Sequence, residues 1–245
     1  MPREGMSSRF FFALAAALAG ALPARGMVGP TSDGGAYAAH VLMVLAQARG
    51  GAGFCSGVVV APDVVLTAAH CVAAPAVLRV HYRGENGAPV LLPVRRVARH
   101  PDYRADAVAA RAKSIDLALV ETADPLPPTF APAAIGAAPE TIGAEVDVAG
   151  FGVSQPGVAS TSGHLRRARL SLRAPLSNVL LWLDGADGAG ACTGDSGAPA
   201  FAGGAVVGIV AYAQAAHGRG CGGLTQAIRL SPQRAWIESV IAGWR

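Results

Sequence analysis

Three short motifs carry side chains that could take part in one reaction. A histidine, His70, follows the apolar run 66–69 and stands beside a cysteine. An acid, Asp116, opens a second apolar run, and Ser196 lies in a Gly-Asp-Ser-Gly motif. A serine hydroxyl is a weak nucleophile at neutral pH until a base takes its proton. Histidine, with an ordinary pKa of about 6.5, suits that task, and an acid can hold its ring in one tautomer.

The chain order of these residues limits the alternatives. An α/β-hydrolase would place its histidine last, after a Gly-x-Ser-x-Gly turn. Here Ala198 stands at the final glycine of that turn, and His217 is the single histidine after the serine. Asp102 and Asp106 are rival acids, and Asp116 is preferred because apolar residues follow it on a predicted strand. Taken singly, each motif also has a plain structural interpretation: a surface histidine, a strand-opening turn and a tight turn.

The elements that must position these residues are mostly short strands. Apolar or β-branched runs, separated mainly by Gly, Pro, Asp or Asn, form two series. The predicted strands are 41–46, 57–61, 64–68, 78–82, 90–97 and 117–121, then 145–149, 165–172, 179–183, 198–201, 206–212 and 224–228. Helical spacing is confined to the end, with Ser231 as the expected N-cap and Pro232 at the first helical position. The pattern predicts an all-β fold of barrels or sandwiches, with a proline-rich linker at 125–132.

Composition excludes several classes of protein. Of 245 residues, 15% are charged and 52% are hydrophobic, which argues against disorder. The 31 Gly and 17 Pro argue against a coiled coil or a long helical array. The net charge of +4 is a weak indication of an anionic partner. Arg167 and Arg169 alternate with apolar residues, so a solvated strand face is preferred over a nucleic-acid site.

Residues 1–26 have the pattern of a secretory signal peptide, with a possible short pro-segment. Arg3 and Arg9 precede an apolar run from Phe10 to Leu22, and small residues follow it. The run is too short to span a bilayer, which takes about 20 residues. A buried or membrane-anchoring helix is the alternative. The expectation is a secreted or periplasmic protein without stable membrane insertion after signal removal, in a compartment that permits disulfides.

These motifs together identify a resemblance to the secreted trypsin-like serine peptidases, which have the chymotrypsin fold. It runs from about Met27 to the end and rests on Thr67-Ala68-Ala69-His70-Cys71 and on Gly194-Asp195-Ser196-Gly197. The resemblance implies two six-stranded antiparallel β-barrels with the active site between them. A peptidase domain would then cover 27–245, with a first barrel at 27–124, the linker at 125–132, a second barrel at 133–230 and a C-terminal helix at 231–245.

The resemblance also implies a role for each motif residue. His70 would be the general base and then the general acid, and Asp116 would orient it. Ser196 would attack the scissile carbonyl. The backbone N–H groups of Gly194 and Ser196 would form the oxyanion hole.

The four cysteines allow three pairings from the sequence alone. The resemblance implies one of them, Cys55 with Cys71 and Cys192 with Cys221. A metal site is disfavoured because no Cys-x2-Cys spacing exists, and no cofactor is expected.

Asp195 has a further implication. In the family, the acid before the serine pairs with a newly cut N-terminus and so shapes the oxyanion hole. Met27, in Arg25-Gly26-Met27-Val28-Gly29-Pro30, lies at the corresponding place, although Met and Pro replace the usual Ile and Gly. Because a buried unpaired acid is costly, the Met27 amine is expected to be needed for activity.

Primary specificity follows from the residues that would line the substrate pocket. Gly190 stands six residues before the serine, where trypsin-type enzymes carry Asp, so cleavage after Lys or Arg is not expected. Ala211, Tyr212 and Ala213 would form one wall, in place of the usual Ser, Trp and Gly, and Gly223 the other. The expectation is a small or medium apolar residue before the cut bond.

Two functions from different classes therefore stand. The first is a secreted endopeptidase that acts on protein or peptide substrates through an acyl-enzyme. The second is a catalytically silent binding protein on the same fold. All three triad residues are present, which favours the first.

Overall fold

The computed structural model describes residues 27–73, 77–84, 86–214 and 220–245. The expected signal peptide, and His217 with its neighbours, lie outside these residues. Thirteen strands and two α-helices make up the described chain. The strands are β1 (Ser32–Asp33), β2 (Val41–Ala48), β3 (Gly51–Ala61), β4 (Val64–Thr67), β5 (Val77–Arg83), β6 (Pro89–Arg99), β7 (Ala118–Thr122), β8 (Glu145–Gly150), β9 (Arg166–Arg173), β10 (Leu180–Asp184), β11 (Pro199–Ala202), β12 (Ala205–Gln214) and β13 (Leu224–Arg229). The helices are α1 (Ala107–Ala110) and α2 (Arg234–Gly243).

The strands form two closed antiparallel barrels. The first barrel runs in the order β2-β3-β4-β7-β6-β5 and closes through the pairing of β5 with β2. The second runs β8-β9-β10-β13-β12-β11 and closes through β11 and β8, while β1 adds an edge strand to β9. The predicted all-β fold of two six-stranded barrels with a C-terminal helix is thus confirmed.

Each barrel has its own apolar interior, and a third cluster joins the two. Branched side chains such as Val44 and Val80 fill the first barrel, and Leu170 and Leu183 fill the second. Between the barrels, residues of both pack with the C-terminal helix. This shared cluster includes Leu66, Leu117, Ile209, Ile228 and Ile237. Burial at about 25 cal/mol per Å² makes such clusters the main source of stability, and this one fixes the two barrels face to face.

Local differences from the sequence pattern have simple causes. β3 begins six residues before the predicted strand 57–61, because the glycine-rich 51–53 segment pairs with β2 across a tight turn. Ser231 is not an N-cap, because a 3-10 turn at Ser231–Gln233 contains Pro232 and the α-helix begins only at Arg234. The proline-rich stretch is tied to the first barrel: Leu126 N–H donates to Pro62 O and Ala131 N–H donates to Ala39 O.

A buried carboxylate fastens the C-terminus to the first barrel. Glu121, on β7, is 1% exposed and accepts hydrogen bonds from Arg95 and Arg96. Arg96 also donates to Trp244 O at 2.7 Å, and its guanidinium lies over the Trp244 ring. Hydrogen bonds from Arg96 and Arg95 lower the pKa of Glu121 to about 2. Because this pKa lies below the ordinary value, the stabilisation is complete above pH 4.5 and is lost as the pH falls toward 2.

Glu121→Gln is therefore expected to lower the free energy of unfolding by about 2 kcal/mol at neutral pH, since charged hydrogen bonds are lost in a buried place. Thermal melts of this variant and the parent should converge as the pH falls toward 2. The matched control is Glu140→Gln, whose carboxylate bonds Arg229 but is 80% exposed, and it should change stability by less than about 1 kcal/mol. Equal melting temperatures for parent and Glu121→Gln at pH 7 would contradict the assignment.

Candidate active site

The strand register brings the histidine to the acid. β4 and β7 are antiparallel neighbours, with Thr67 opposite Ala118. His70 lies in the 3-10 turn that follows β4, and Asp116 lies two residues before β7. Because antiparallel pairing places the end of one strand beside the start of the next, residues 46 positions apart come into contact.

Asp116 holds His70 through two contacts. Its Oδ2 lies 2.6 Å from the ring Nδ1, and its Oδ1 accepts the His70 backbone N–H at 2.9 Å. The Asp116 side chain is 16% exposed and that of His70 is 39% exposed. The ring Nε2 lies 3.7 Å from Cys71 Sγ, a disulfide sulfur that has no proton to give. The carboxylate thus fixes the ring orientation and leaves Nε2 available on the exposed side.

No described hydrogen bond or ion pair joins either rival acid to the His70 ring. The Asp102 backbone N–H donates to His100 Nδ1, and Asp106 lies 3.6 Å from Arg104. Of the three candidate acids, Asp116 is therefore the one in contact with the His70 ring.

A tight turn presents the serine. Asp195 N–H donates to Cys192 O, and Ala198 N–H donates to Asp195 O. The turn needs glycine at two points, because Gly194 and Gly197 have φ of +94° and +81°. A side chain at 194 would also meet the Phe54 ring, 2.3 Å from its Cβ position. The turn therefore needs glycine at 194, and of its residues Ser196 is among those that line the cleft.

His70, Asp116 and Ser196 line one cleft between the barrels, with a volume of about 1020 Å³. Among the hydrogen bonds of the described residues, none joins Ser196 to His70. Such bonds are often long in the absence of substrate and shorten when the reacting complex forms. The cleft thus holds a serine, a histidine and the carboxylate that orients the histidine.

Asp195, next to the serine, is completely buried. Its carboxylate accepts the Gly152 N–H at 2.8 Å and the Cys192 N–H at 3.0 Å. Burial raises its pKa to about 7, and these two hydrogen bonds only partly oppose the rise. Glycines at 150 and 152 leave room for the carboxylate, because a Cβ at either would lie within 2.4 Å of it. Asp195 is thus a buried acid whose described partners are neutral.

Met27 is buried beside the serine turn. Its side chain is fully buried in the second-barrel cluster with Ala191 and Ala198. Val28 and Gly190 exchange two backbone hydrogen bonds of 3.1 Å each, which fix the start of the described chain on the segment that leads to Asp195. Among the described ion pairs there is none between Met27 and Asp195, because Gly26 precedes Met27 and its nitrogen is an amide.

Some of the residues expected in the substrate pocket line the cleft, and others do not. Ala211, Tyr212 and Ala213, from β12, line the cleft. Gly190 and Gly223 are buried and are not among the residues that line it. The sequence analysis missed Thr225: its Oγ1 accepts the Ala191 N–H at 3.0 Å and lies 3.1 Å from where a Cβ on Gly190 would be. The sequence did not show that Thr225 lies buried beside Gly190.

Ser56 is a second residue that the sequence analysis missed. It lies on β3, next to Cys55, and is fully buried. Its Oγ donates to Gly194 O at 2.9 Å, and its backbone N–H donates to Ser196 O at 2.8 Å. In the sequence it stands one residue before the predicted strand 57–61 and gave no signal of its role. Ser56 connects the first barrel to the serine turn of the second.

Two disulfides frame the site. They join Cys55 to Cys71 beside the histidine, and Cys192 to Cys221 beside the serine, which is the pairing the resemblance implies. Cys55, His70 and Cys71 lie close enough to resemble a metal site. Both sulfurs are in a disulfide, so the group offers no thiolate ligand.

The fold and the contents of the cleft define a class, the chymotrypsin-fold serine peptidases. The family model described as Trypsin matches residues 33–237, which is most of the chain. The chain therefore belongs to the trypsin family. An ovochymase of Halocynthia roretzi is 29% identical over 171 residues, covering 60% of this chain but 10% of that protein. Trypsin Blo t 3 of Blomia tropicalis is 27% identical over 192 residues, covering 69% of this chain and 68% of that protein.

Solved structures share the fold. The structure of GrC superposes with a TM-score of 0.71 at 21% identity, covering 89% of this chain and 98% of that one. A scabies mite inactivated protease paralogue, S-I1, gives a TM-score of 0.70 at 22% identity, covering 88% and 99%. Human heparin binding protein gives 0.70 at 21% identity, covering 88% and 97%. Because one of these is an inactivated paralogue, the fold by itself does not decide activity.

Within the described residues, the structure contains no helix whose length and hydropathy would allow it to cross a membrane.

Proposed function

We propose that this chain is a secreted serine endopeptidase in which His70, Asp116 and Ser196 form the catalytic triad. The observation that carries the proposal is that Asp116 holds His70 through two contacts. One carboxylate contacts both the ring Nδ1 and the backbone N–H of the histidine, at the cleft that Ser196 also lines. A surface histidine in a structural role would not need its ring fixed in this way beside a serine in a glycine-flanked turn.

The proposed reaction has two halves. His70 Nε2 takes the hydroxyl proton of Ser196 while Oγ bonds to the scissile carbonyl carbon. The imidazolium, stabilised by Asp116, then gives that proton to the leaving amine as the carbon–nitrogen bond breaks, which leaves an acyl-enzyme. Water repeats the sequence: His70 takes its proton as the water oxygen bonds to the acyl carbon, the ester bond to Oγ then breaks to release the acid, and His70 returns the proton to Ser196 Oγ. No redox step or metal is needed for the atoms and charges to balance.

The proposed oxyanion hole is formed by the backbone N–H groups of Gly194 and Ser196. The positive φ of Gly194 is part of the turn that would aim these donors at the cleft. Donors fixed before the reaction stabilise the developing negative charge without reorganisation, and losing one typically costs about 10²–10³ in rate.

We expect this enzyme to cut after small or medium apolar residues. No acid stands at Gly190 to pair with a Lys or Arg side chain, and the Thr225 side chain takes up space opposite Gly190. A peptide library should show cleavage after Ala or Val, with Lys and Arg lower by about 10² or more, because an unpaired buried charge costs several kcal/mol.

The variant Thr225→Gly tests the size preference predicted for the primary pocket. It should shift preference toward larger apolar residues, because it removes the side chain opposite Gly190. Thr122→Gly, which changes a buried threonine in the first barrel, should leave the profile as in the parent. A parent cleavage profile dominated by Lys and Arg before the cut bond would contradict the pocket assignment.

The remaining proposals concern processing and organisation. Residues 1–26 are proposed as a signal peptide with a short pro-segment, whose removal yields a secreted or periplasmic peptidase domain at 27–245. The new Met27 ammonium is proposed to pair with Asp195. The burial of Met27, the strand-like pairing of Val28 with Gly190 and the neutral partners of Asp195 all support this. The limits of the first barrel, 27–124, and of the second barrel, 133–230, are also proposed.

A catalytically silent binding protein is the second candidate. Three observations favour it: the similarity to an inactivated protease paralogue, Ala211 where the family usually has Ser, and the missing hydrogen bond between Ser196 and His70 among the described residues. The two candidates differ in whether the serine is activated.

Intact mass after treatment with a fluorophosphonate decides between them. The secreted protein should gain one adduct, and Ser196→Ala should gain none, since the reagent reacts with an activated serine. The mass before treatment locates the N-terminus. A chain that begins at Met27, has both disulfides and takes no adduct would favour the silent protein. The absence of an adduct on a chain with an upstream terminus would indicate an unprocessed precursor.

A further inference from the structure

One wall of the cleft is positively charged. The segment 103–114, which contains α1, lines the cleft beside the triad candidates. Three of its cleft-lining side chains, Arg104, Arg111 and Lys113, are cations on solvent-exposed residues. This segment is called the cationic wall below. It brings three positive charges to the place where a substrate must lie.

Little in the cleft neutralises this charge. Among the described residues that line it, Asp116 is the one acid, and His70 already occupies its carboxylate. Arg104 has a loose ion pair of 3.6 Å with Asp106. Arg111 and Lys113 take part in none of the ion pairs between described residues. The cleft therefore has a net positive charge available to a ligand.

The opposite wall can hold a peptide main chain. β12 pairs with β13 along 208–214, but its other edge pairs with β11 only along 205–209. Among the described residues no strand pairs with this other edge at Tyr212–Gln214, which lines the cleft, and an extended peptide can add to such an edge through main-chain hydrogen bonds. The side chains of that peptide would alternate between the two faces of the sheet, so every second one would lie on the face toward the cleft that the cationic wall also lines.

We propose that the cleft selects peptides with acidic side chains two to four positions before the cut bond. The inference rests on the proposed function, because β12 also forms the wall of the proposed primary pocket and so contacts the part of the substrate that precedes the cut. Glu or Asp at these positions would pair with Arg111 and Lys113, and a basic side chain there would be repelled. The proposed substrate class is acidic segments of proteins, cut after a small apolar residue.

Matched fluorogenic peptides test this preference. The peptides share Ala at the cut and differ by Glu, Gln or Lys at each of the three preceding positions. The parent should cleave the best Glu peptide roughly two- to fivefold faster, in kcat/KM, than the Gln peptide, with the Lys peptide slower still. The difference should shrink at high salt, which screens exposed charges.

Two double variants separate the cationic wall from overall charge. Arg111→Ala/Lys113→Ala should lose the Glu preference, whereas Arg49→Ala/Arg83→Ala, which removes equal charge away from the cleft lining, should keep it. A preference that survives in the first variant, or no Glu preference in the parent, would overturn the proposal. A parent that takes a fluorophosphonate adduct yet shows no Glu preference refutes this inference alone, and a parent without adduct or cleavage refutes the proposed function.

A second, independent inference concerns Ser56. All of its polar groups are engaged: its backbone N–H donates to Ser196 O, its carbonyl accepts from Thr67 Oγ1, and its Oγ donates to Gly194 O while accepting from Phe151 N–H. The last two bonds measure 2.9 and 3.0 Å. One buried hydroxyl therefore joins the serine turn to the segment that follows β8.

We infer that Ser56 is a positioning residue for the proposed oxyanion hole. Fixing the Gly194 carbonyl fixes the rotation of the peptide plane beside the Gly194 N–H donor, at a glycine whose backbone would otherwise rotate freely. Without the hydroxyl, the Gly194 carbonyl and the Phe151 N–H lose a partner in a buried place, and the turn can shift to find others. Ser56 acts through Gly194 and does not touch the substrate.

Ser56→Ala is expected to lower kcat about tenfold with KM nearly unchanged, because the oxyanion forms only in the transition state. Its affinity for a peptide aldehyde, which forms a tetrahedral adduct on Ser196, should fall by a similar factor. Thr67→Val is the control: it removes a buried hydroxyl bonded to the same residue, at Ser56 O, and should cost similar thermal stability without the loss of kcat.

Three outcomes settle this inference. A selective kcat loss in Ser56→Ala supports it. Unchanged kcat in Ser56→Ala, or an equal kcat loss in Thr67→Val at equal melting temperature, overturns it. The proposed function is tested separately, by the fluorophosphonate adduct on the parent chain.

Discussion

Replacing His70 by Ala is expected to lower kcat by about 10⁶, the scale reported for removing the base of a serine triad in another protease. In this chain Asp116 orients the imidazole at the cleft that Ser196 also lines. Without the imidazole, nothing accepts the Ser196 proton as the bond to the carbonyl carbon forms. Peptide hydrolysis under saturating substrate measures kcat directly.

Two further variants are compared with His70→Ala in this experiment. Asp116→Asn should cost about 10⁴, because an amide NH₂ in place of Oδ2 would disfavour the tautomer that carries a proton on Nδ1. His164→Ala, at an exposed loop position, should keep the parental rate. Melting temperatures within a few degrees of the parent would show that all three variants fold. If His70→Ala retained more than about a hundredth of the parental kcat, the triad assignment would be wrong.

An extension ahead of Met27 is expected to lower kcat/KM by about 10³ or more. Asp195 flanks both proposed oxyanion donors, and in the extended chain its described partners are two neutral N–H groups. A free Met27 ammonium would give this buried carboxylate the charged partner that it lacks. The two forms, one beginning at Met27 and one extended by a few residues, differ in the extension and in whether the nitrogen of Met27 is an ammonium or an amide, and cleavage of a peptide substrate compares them.

The same two forms should differ in how stability depends on pH. In the extended chain the pKa of Asp195 is raised by burial from 3.8 to about 7, so the folded state holds its proton more tightly than the unfolded state. Stability from this group is therefore complete below pH 3.8 and is lost as the pH rises to about 7. Ser196→Ala versions of both forms avoid self-digestion in the melts. The form beginning at Met27 should lack this loss.

Asp195→Asn provides the control for both readouts. It should remove the pH-dependent loss from the extended form, since no charge remains to bury, and it should inactivate the form beginning at Met27. Equal activity of the extended and processed chains, or identical pH profiles of stability, would refute the role given to Met27.

Most of the secondary structure could be predicted from local patterns. Twelve short apolar runs coincide with β2 to β13, because each strand needs a face of branched side chains against the core. Two errors came from pairing rather than propensity. β1, of two residues, exists through its pairing with β9, and the start of β3 is held by β2. The local glycines and prolines predicted neither the existence of β1 nor the early start of β3.

The site was predictable in part for a similar reason. The motifs around His70 and Ser196 carry their chemistry within a few residues, so they could be found along the chain. Thr225 and Ser56 could not, because their importance comes from partners far away in sequence: Thr225 faces Ala191, and Ser56 faces Gly194 across the barrel interface. A single sequence gives no measure of such distances.

By itself, then, the sequence determined the strand-rich class and, through its resemblance, the two barrels, and it supplied the proposed nucleophile, base and acid by type and order. Only the tertiary structure decided which of three acids contacts His70, since the pairing of β4 with β7 sets that contact. It also decided that Arg111 and Lys113 share a cleft with Ser196. The physical reason is that chemistry depends on distances between residues, and in a closed barrel those distances are set by strand register rather than by separation along the chain.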